Sequence, residues 1–248
     1  MRPTASDSNF SLLIPSHPAP SILHGSPQNA GYSSEVVLTK AFSTRHWSDW
    51  AGTAAFAALA VGLWHQAPEF GVLILPGLLQ ELLVAVSFLL RGRAQVGAPS
   101  RAARLVAYAN SFLVMGFILL SARFQPDWLR PTPHDGLRQV GAVIWLAAAT
   151  LSLWPLWHLR RAFSLEPAAR VLVTAGPYRL ARHPIYAIYI LINLGILLRH
   201  LTLPFAAVIA AWMALLVVRV RYEERVLSVA FPEYRDYRRR VRAFGILG

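Results

Sequence analysis

Two short clusters in this chain carry the side chains most suited to chemistry. The first is Gly176-Pro177-Tyr178-Arg179-Leu180-Ala181-Arg182-His183-Pro184-Ile185-Tyr186; the second is Glu223-Glu224, followed by Tyr234-x-x-Tyr237. Pro184 suits the first turn of a helix, where its missing N–H would have had no partner anyway. Arg182 and His183 then stand at the positive end of the helix dipole. Two basic side chains and free backbone N–H groups there form an anion site. Glu223 and Glu224 would face them as carboxylates for a cationic or hydroxylated ligand. Each cluster alone has a plainer reading. Arg182 and His183 serve as membrane anchors, and the glutamates pair with Arg219, Arg221 or Arg225 at helical spacing. Together they predict a polar pocket at a lipid boundary.

The elements that must position these clusters are helices in a membrane. The 248 residues are 55% hydrophobic, beyond the usual share for a soluble domain, and the sequence has runs approaching the length of a bilayer crossing. The expected fold is all-α: a polytopic membrane helical bundle of about six transmembrane or half-membrane helices, closed by a C-terminal amphipathic cytosolic helix. The net charge of +12 does not point to nucleic acid, because the arginines alternate with apolar runs and fit anionic lipid better. With no cysteine, the chain has no disulfide, thiolate nucleophile or Cys-ligated metal. The spacing of His65, His134, His158 and His200 suggests no metal site either.

Apolar segments fall at about 50–64, 72–90, 105–122, 140–157, 184–198 and 203–220. The first and fifth are short for full spans. Residues 1–45, rich in Ser and Pro, read as a disordered cytosolic arm. Residues 46–165 read as N-terminal transmembrane helices and 166–248 as a C-terminal core. Arg91, Arg93, Arg101 and Arg104 fill the second loop; Arg160, Arg161, Arg170, Arg179 and Arg182 fill the fourth. By the positive-inside rule both termini are cytosolic, with a bacterial cytoplasmic membrane favoured. Beyond Val220 the pattern becomes amphipathic and breaks around Phe231-Pro232. Within the spans, Glu81 is the ionisable residue most suited to line a substrate channel, though pairing with Gln80 is an equal alternative. Asn110, Ser111 and Asn193 read as interhelical hydrogen bonders.

The clusters resemble the membrane methyltransferases typified by isoprenylcysteine carboxyl methyltransferase, a group that includes the phospholipid N-methyltransferases. The matching residues are Gly176, Tyr178, Arg182, His183, Pro184 and Tyr186, then Glu223, Glu224, Leu227, Tyr234, Tyr237 and Val241. The resemblance covers about 170–242. It implies an S-adenosyl-L-methionine-dependent methyltransferase with its cofactor pocket on the cytosolic side. Tyr178, His183, Pro184, Tyr186, Glu223 and Glu224 would bind the cofactor. Arg182 and Glu224 would be the catalytic residues, and Arg240 and Tyr237 would contact substrate; Glu81, outside the resemblance, would join them only by its place inside a span. The implied acceptor is a lipidic or prenylated molecule from the bilayer, foremost the carboxylate of an isoprenylcysteine. Such an acceptor is already anionic and needs no general base. A phospholipid amine or a small thiol is the alternative within the group. Ile188 and Arg242 depart from the group's pattern, which has a small residue and a proline at those places. A second resemblance, to membrane sterol reductases that use a nicotinamide cofactor, is poorer: Ile185 and Ile188 replace their Asn and Gly, and their tail lacks the Glu-Glu-x-x-Leu present here.

Overall fold

The computed structural model describes residues 47–64, 71–124 and 132–245. The arm expected at 1–45 lies outside them. Among the described residues the chain forms seven α-helices and no strand, apart from one isolated antiparallel bridge between Val96 and Ala169. In chain order the helices are α1 (Trp47–Trp64), α2 (Leu75–Leu90), α3 (Arg101–Phe124), α4 (Asp135–Leu159), α5 (Pro184–Arg199), α6 (Leu203–Ala230) and α7 (Tyr234–Arg240). Short 3-10 turns, Gly71–Ile74 and Gly176–Arg179, lead into α2 and precede α5.

The apolar segments all fall in helices, but the expected count of about six spans is not confirmed. Among the described residues, three helical stretches are long and apolar enough to cross a membrane: Gly71–Leu90, Asp135–Leu159 and Leu203–Ala230. α5 is apolar but has only 16 residues. The last long helix does not end where the apolar run gives way to charges. α6 continues through Glu223 and Glu224 for 28 residues and stops at Phe231, just before Pro232. The expected amphipathic helix is therefore the far end of α6 plus the separate, seven-residue α7. The interruption falls at the predicted place because proline cannot donate to a continuing helix.

α5 packs chiefly on α4, α1 on α2, α2 on α4, and α3 on α6. The α4–α5 crossing depends on two glycines. A Cβ on Gly141 would lie 2.6 Å from the carbonyl oxygen of Gly195, and one on Gly195 would lie 2.7 Å from that of Gly141. Only residues without a side chain let the two backbones come this close. α3 and α6 are joined by a reciprocal pair: the Asn110 amide donates to the Trp212 carbonyl at 3.1 Å and the Trp212 indole donates to the Asn110 carbonyl at 2.9 Å. Asn193, expected to bond between helices, instead donates to the Tyr189 carbonyl of its own helix.

One end of the bundle collects the charged connections. The segment after α2 pairs with the segment after α4: Gln95 N–H donates to the Ala169 carbonyl at 2.7 Å, and Ala169 N–H to the Val96 carbonyl at 2.9 Å. The two arginine-rich loops thus share one end, as the loop charges require.

Candidate functional site

The two clusters meet at that charged end. Gly176 starts the turn with φ near +60°, and a Cβ there would lie 2.3 Å from the His158 ring, so only glycine fits. The turn returns the chain so that Pro184 opens α5, as its chemistry predicts. Glu223 and Glu224 arrive on α6 and face the same space.

Arg182 and Glu224 form a tight pair. Nε of Arg182 donates to Glu224 Oε1 at 2.9 Å, and its Nη2 lies 2.8 Å from the same oxygen. Both side chains are about nine-tenths buried. Nη1 of Arg182 donates to the carbonyls of Arg238, at 3.0 Å, and Val241. The His183 ring lies between both acids, with Nε2 3.4 Å from Glu224 Oε1 and Nδ1 3.9 Å from Glu223 Oε2. It stacks on Tyr186 with ring planes 14° apart. Glu224 also lies 3.5 Å from Arg238 Nε. Glu223 accepts from the Tyr186 hydroxyl and from Arg219 Nε, the latter at 3.0 Å.

One expectation needs correction. The backbone N–H groups of Arg182 and His183 are not free for an anion. They donate to the carbonyls of Arg242 and Ala243 at 2.9 and 2.8 Å. Carbonyl oxygens of the tail supply the partial negative charge that the helix start favours. Arg242, one of the two positions that depart from the family pattern, thus joins the tail to the motif through its backbone.

A cleft lies against these groups. It is lined by Tyr178, Arg182, His183, Tyr186 and Glu223 on one side, by Tyr234 and Tyr237 of α7, and by the loop from Ala162 to Val173. Tyr237 closes the tail onto the motif by donating to the Tyr178 carbonyl at 2.5 Å. Burial pushes its phenol up to about 12, despite the opposing charge of Arg182. The hydroxyls of Tyr178 and Tyr234 are buried and have no hydrogen-bond partner among the described residues. Burial, with Glu223 adding for Tyr178 and Glu224 for Tyr234, raises both above the ordinary tyrosine value and keeps them neutral donors.

Two predicted residues lie elsewhere. Arg240 is exposed and donates to the Asp236 carbonyl, beside a separate groove. Glu81 is buried in α2 and lines a chamber deeper in the bundle. The chamber and the cleft share a wall of Leu159, Ser164, Ile185 and Tyr186.

Arg219 is the residue that sequence reasoning missed. It is buried and holds the site together: beyond Glu223 it donates to Ser111 Oγ at 2.8 Å, to the Leu165 carbonyl at 2.9 Å, and to the Ala107 carbonyl and Asn110 Oδ1 at 3.3 Å. Its sequence signal was an arginine inside an apolar run, four residues before an acid. That spacing alone reads as a simple ion pair. The loop from Ala162 to Val173 gave no signal at all.

Residues 137–234 match the family model described as phospholipid methyltransferase. This stretch of the chain is thus similar to the membrane methyltransferases that the motifs resemble. The match begins earlier than the motifs do, taking in α4. The chain is also 43% identical over 137 residues to the nickel-cobalt-cadmium resistance protein NccN of Alcaligenes xylosoxydans xylosoxydans, covering 54% of this chain and 59% of that protein. It is 46% identical over 74 residues to the cobalt-zinc-cadmium resistance protein CzcN of Cupriavidus metallidurans, covering 29% and 34%. The matches thus span less than two thirds of either relative. Among the described residues, no group of three or more His, Asp or Glu lies together as a metal ion would require.

Proposed function

We propose that the protein is an S-adenosyl-L-methionine-dependent membrane methyltransferase, with its cofactor in the cleft and a lipidic acceptor in the chamber behind Tyr186. The observation that carries this reading is the pair of buried, unpartnered phenol hydroxyls on Tyr178 and Tyr234 beside the Glu223 and Glu224 carboxylates. A buried polar group without a partner costs free energy, so a site that has two is built for a ligand that satisfies them. The donor set suits this cofactor, whose amino and hydroxyl groups need carboxylate and phenol partners.

When bound, S-adenosylmethionine supplies a methyl group on a positively charged sulfur, open to in-line displacement by a lone pair of the acceptor. The chain positions the reactants and keeps water out. Glu223 Oε2, with no hydrogen bond from the described residues, is left to accept from the cofactor, with the stacked His183 and Tyr186 rings as a wall. Glu224 is held by Arg182 and His183, which sets its orientation. Arg182 spends its donors on Glu224 and the tail carbonyls, so it acts as a positioning residue that holds the tail over the cleft. Pro184 fixes the helix start, and Tyr237 holds the tail closed. Ile185 and Leu159 separate the cleft from the chamber through which the acceptor enters from the bilayer. In this reading the charged end faces the cytosol, in a bacterial cytoplasmic membrane. An isoprenylcysteine carboxylate, a lipid amine and a thiol are all acceptors of the kind the family resemblance implies.

Two measurements test the proposal. S-adenosylmethionine should bind the purified full-length protein in detergent, and NADPH should not; binding of the nicotinamide alone would overturn the reading. Membranes containing the protein should incorporate methyl label from S-adenosylmethionine. Base-labile label identifies an ester, and base-stable label an N- or S-methyl group.

A further inference from the structure

The chamber behind Tyr186 has an electrostatic character opposite to that of the cleft. Val84 packs with Ile185 and Tyr186, and Glu81 lies one helical turn further into the bundle on the same helix. Glu81 is 8% exposed. Its Oε1 receives a long contact from the Gln80 amide, at 3.4 Å, and its Oε2 has no partner among the described residues. Gln80 is itself held by Ser152, whose hydroxyl donates to Gln80 Oε1 at 2.7 Å. Phe56, Met115 and Ile118 are among its apolar walls, and Asn110, Ser111, Ser164 and Asn193 are its neutral polar lining.

The one cation on the described chamber wall is Arg219, and its donors go to Glu223, Ser111, Asn110, Ala107 and Leu165. A carboxylate or phosphate brought into this chamber would face Glu81 with no free positive partner, a large cost at low dielectric. A plain hydrocarbon chain would leave Glu81 Oε2 unsatisfied. A group that donates a hydrogen bond removes both penalties.

We infer that Glu81 is the residue that selects the acceptor, and that the acceptor carries an N–H or O–H donor on an apolar body and has no carboxylate or phosphate where it meets Glu81. This rests on the methyltransferase reading for the word acceptor. The chamber's preference itself does not need that reading, because it can be measured as binding without a methyl donor.

The test uses three probes with one apolar body: phenylbutylamine, phenylbutanol and phenylbutyrate. Binding to the full-length protein in detergent is read from the shift in thermal unfolding. The amine should bind most tightly, the alcohol next, and the acid at least tenfold more weakly than the amine. Glu81→Gln keeps an acceptor oxygen but loses the charge, so it should weaken the amine about tenfold and leave the alcohol nearly unchanged. Glu81→Leu should abolish the difference among the three. The inference is overturned if the acid binds wild type as tightly as the amine, if none of the probes binds, or if Glu81→Leu leaves the order intact. If the order holds but no methyl is ever transferred, the enzymatic reading fails and the ligand preference stands.

Discussion

The cleft and the chamber both contain buried carboxylates, and they treat them in opposite ways. Glu224, next to the Glu223 that lines the cleft, lies against Arg182, His183 and Arg238. Glu81 in the chamber has a weak contact from Gln80 and an empty oxygen. The cleft is a preorganised polar site in which its charges hold one another in place. The chamber keeps one unsatisfied group in an apolar wall. A neutralised acid contributes architecture, while an unsatisfied one selects a ligand, because the ligand supplies the missing bond.

The largest effect should come from breaking the neutralised side. Glu224→Ala leaves Arg182 buried without its counter-charge, a loss of about 3 kcal/mol in stability. Turnover should fall at least a hundredfold. Thermal unfolding and methyl transfer with labelled cofactor measure the two. If both stayed at wild-type levels, the charged core of the cleft would be mere decoration.

Next come the unsatisfied phenols of the cleft. Tyr178→Phe and Tyr234→Phe should each weaken S-adenosylmethionine about tenfold, the loss of one good hydrogen bond, in an equilibrium binding measurement. Neither should lower the unfolding temperature of the cofactor-free protein, since the removed hydroxyl has no partner there. A variant that lost stability with affinity unchanged would reverse this assignment.

Glu81→Leu should stabilise the empty protein by about 1 kcal/mol, because it replaces a poorly satisfied buried acid with an apolar side chain. That is the opposite sign to Glu224→Ala. The same assay on the two variants thus compares the two regions directly, and a destabilised Glu81→Leu would mean that its carboxylate is structural.

The smallest effect belongs to the tail. Tyr237→Phe removes the bond to the Tyr178 carbonyl and should cost ~1 kcal/mol or less. The Tyr237 phenol is raised from 10.0 to about 12 on folding. The neutral form is therefore favoured in the folded state. Its contribution is fully present below pH 10 and is lost as pH rises toward 12. An alkaline unfolding profile that is the same in wild type and Tyr237→Phe would remove this residue from the tail's attachment.

The sequence carried much of the local structure. The apolar runs marked every helix of the bundle, and Pro184, Pro232 and Gly176 placed a helix start, a helix break and a turn, because each acts through its own backbone. The motif residues also pointed to the same kind of protein as the family model that residues 137–234 match. That α6 would run unbroken past Val220 could not be read, since this continuation depends on what its polar end packs against. The free N–H groups expected at Arg182 and His183 were misjudged for a similar reason: the carbonyls that take them arrive from Arg242 and Ala243, far along the chain.

What the sequence by itself determined is the set of elements and the membership of Arg182, His183, Tyr186, Glu223 and Glu224 in one motif set. Periodicity, backbone restriction and hydropathy are local properties, and they survive being read along a line. Tertiary structure alone decided the pairing. It gave Arg182 to Glu224, made Arg219 the buried hub, placed Arg240 away from the cleft, and left Glu81 Oε2 and two phenols without partners among the described residues. Whether a buried polar group is satisfied depends on every helix packed around it, and no single segment contains that information.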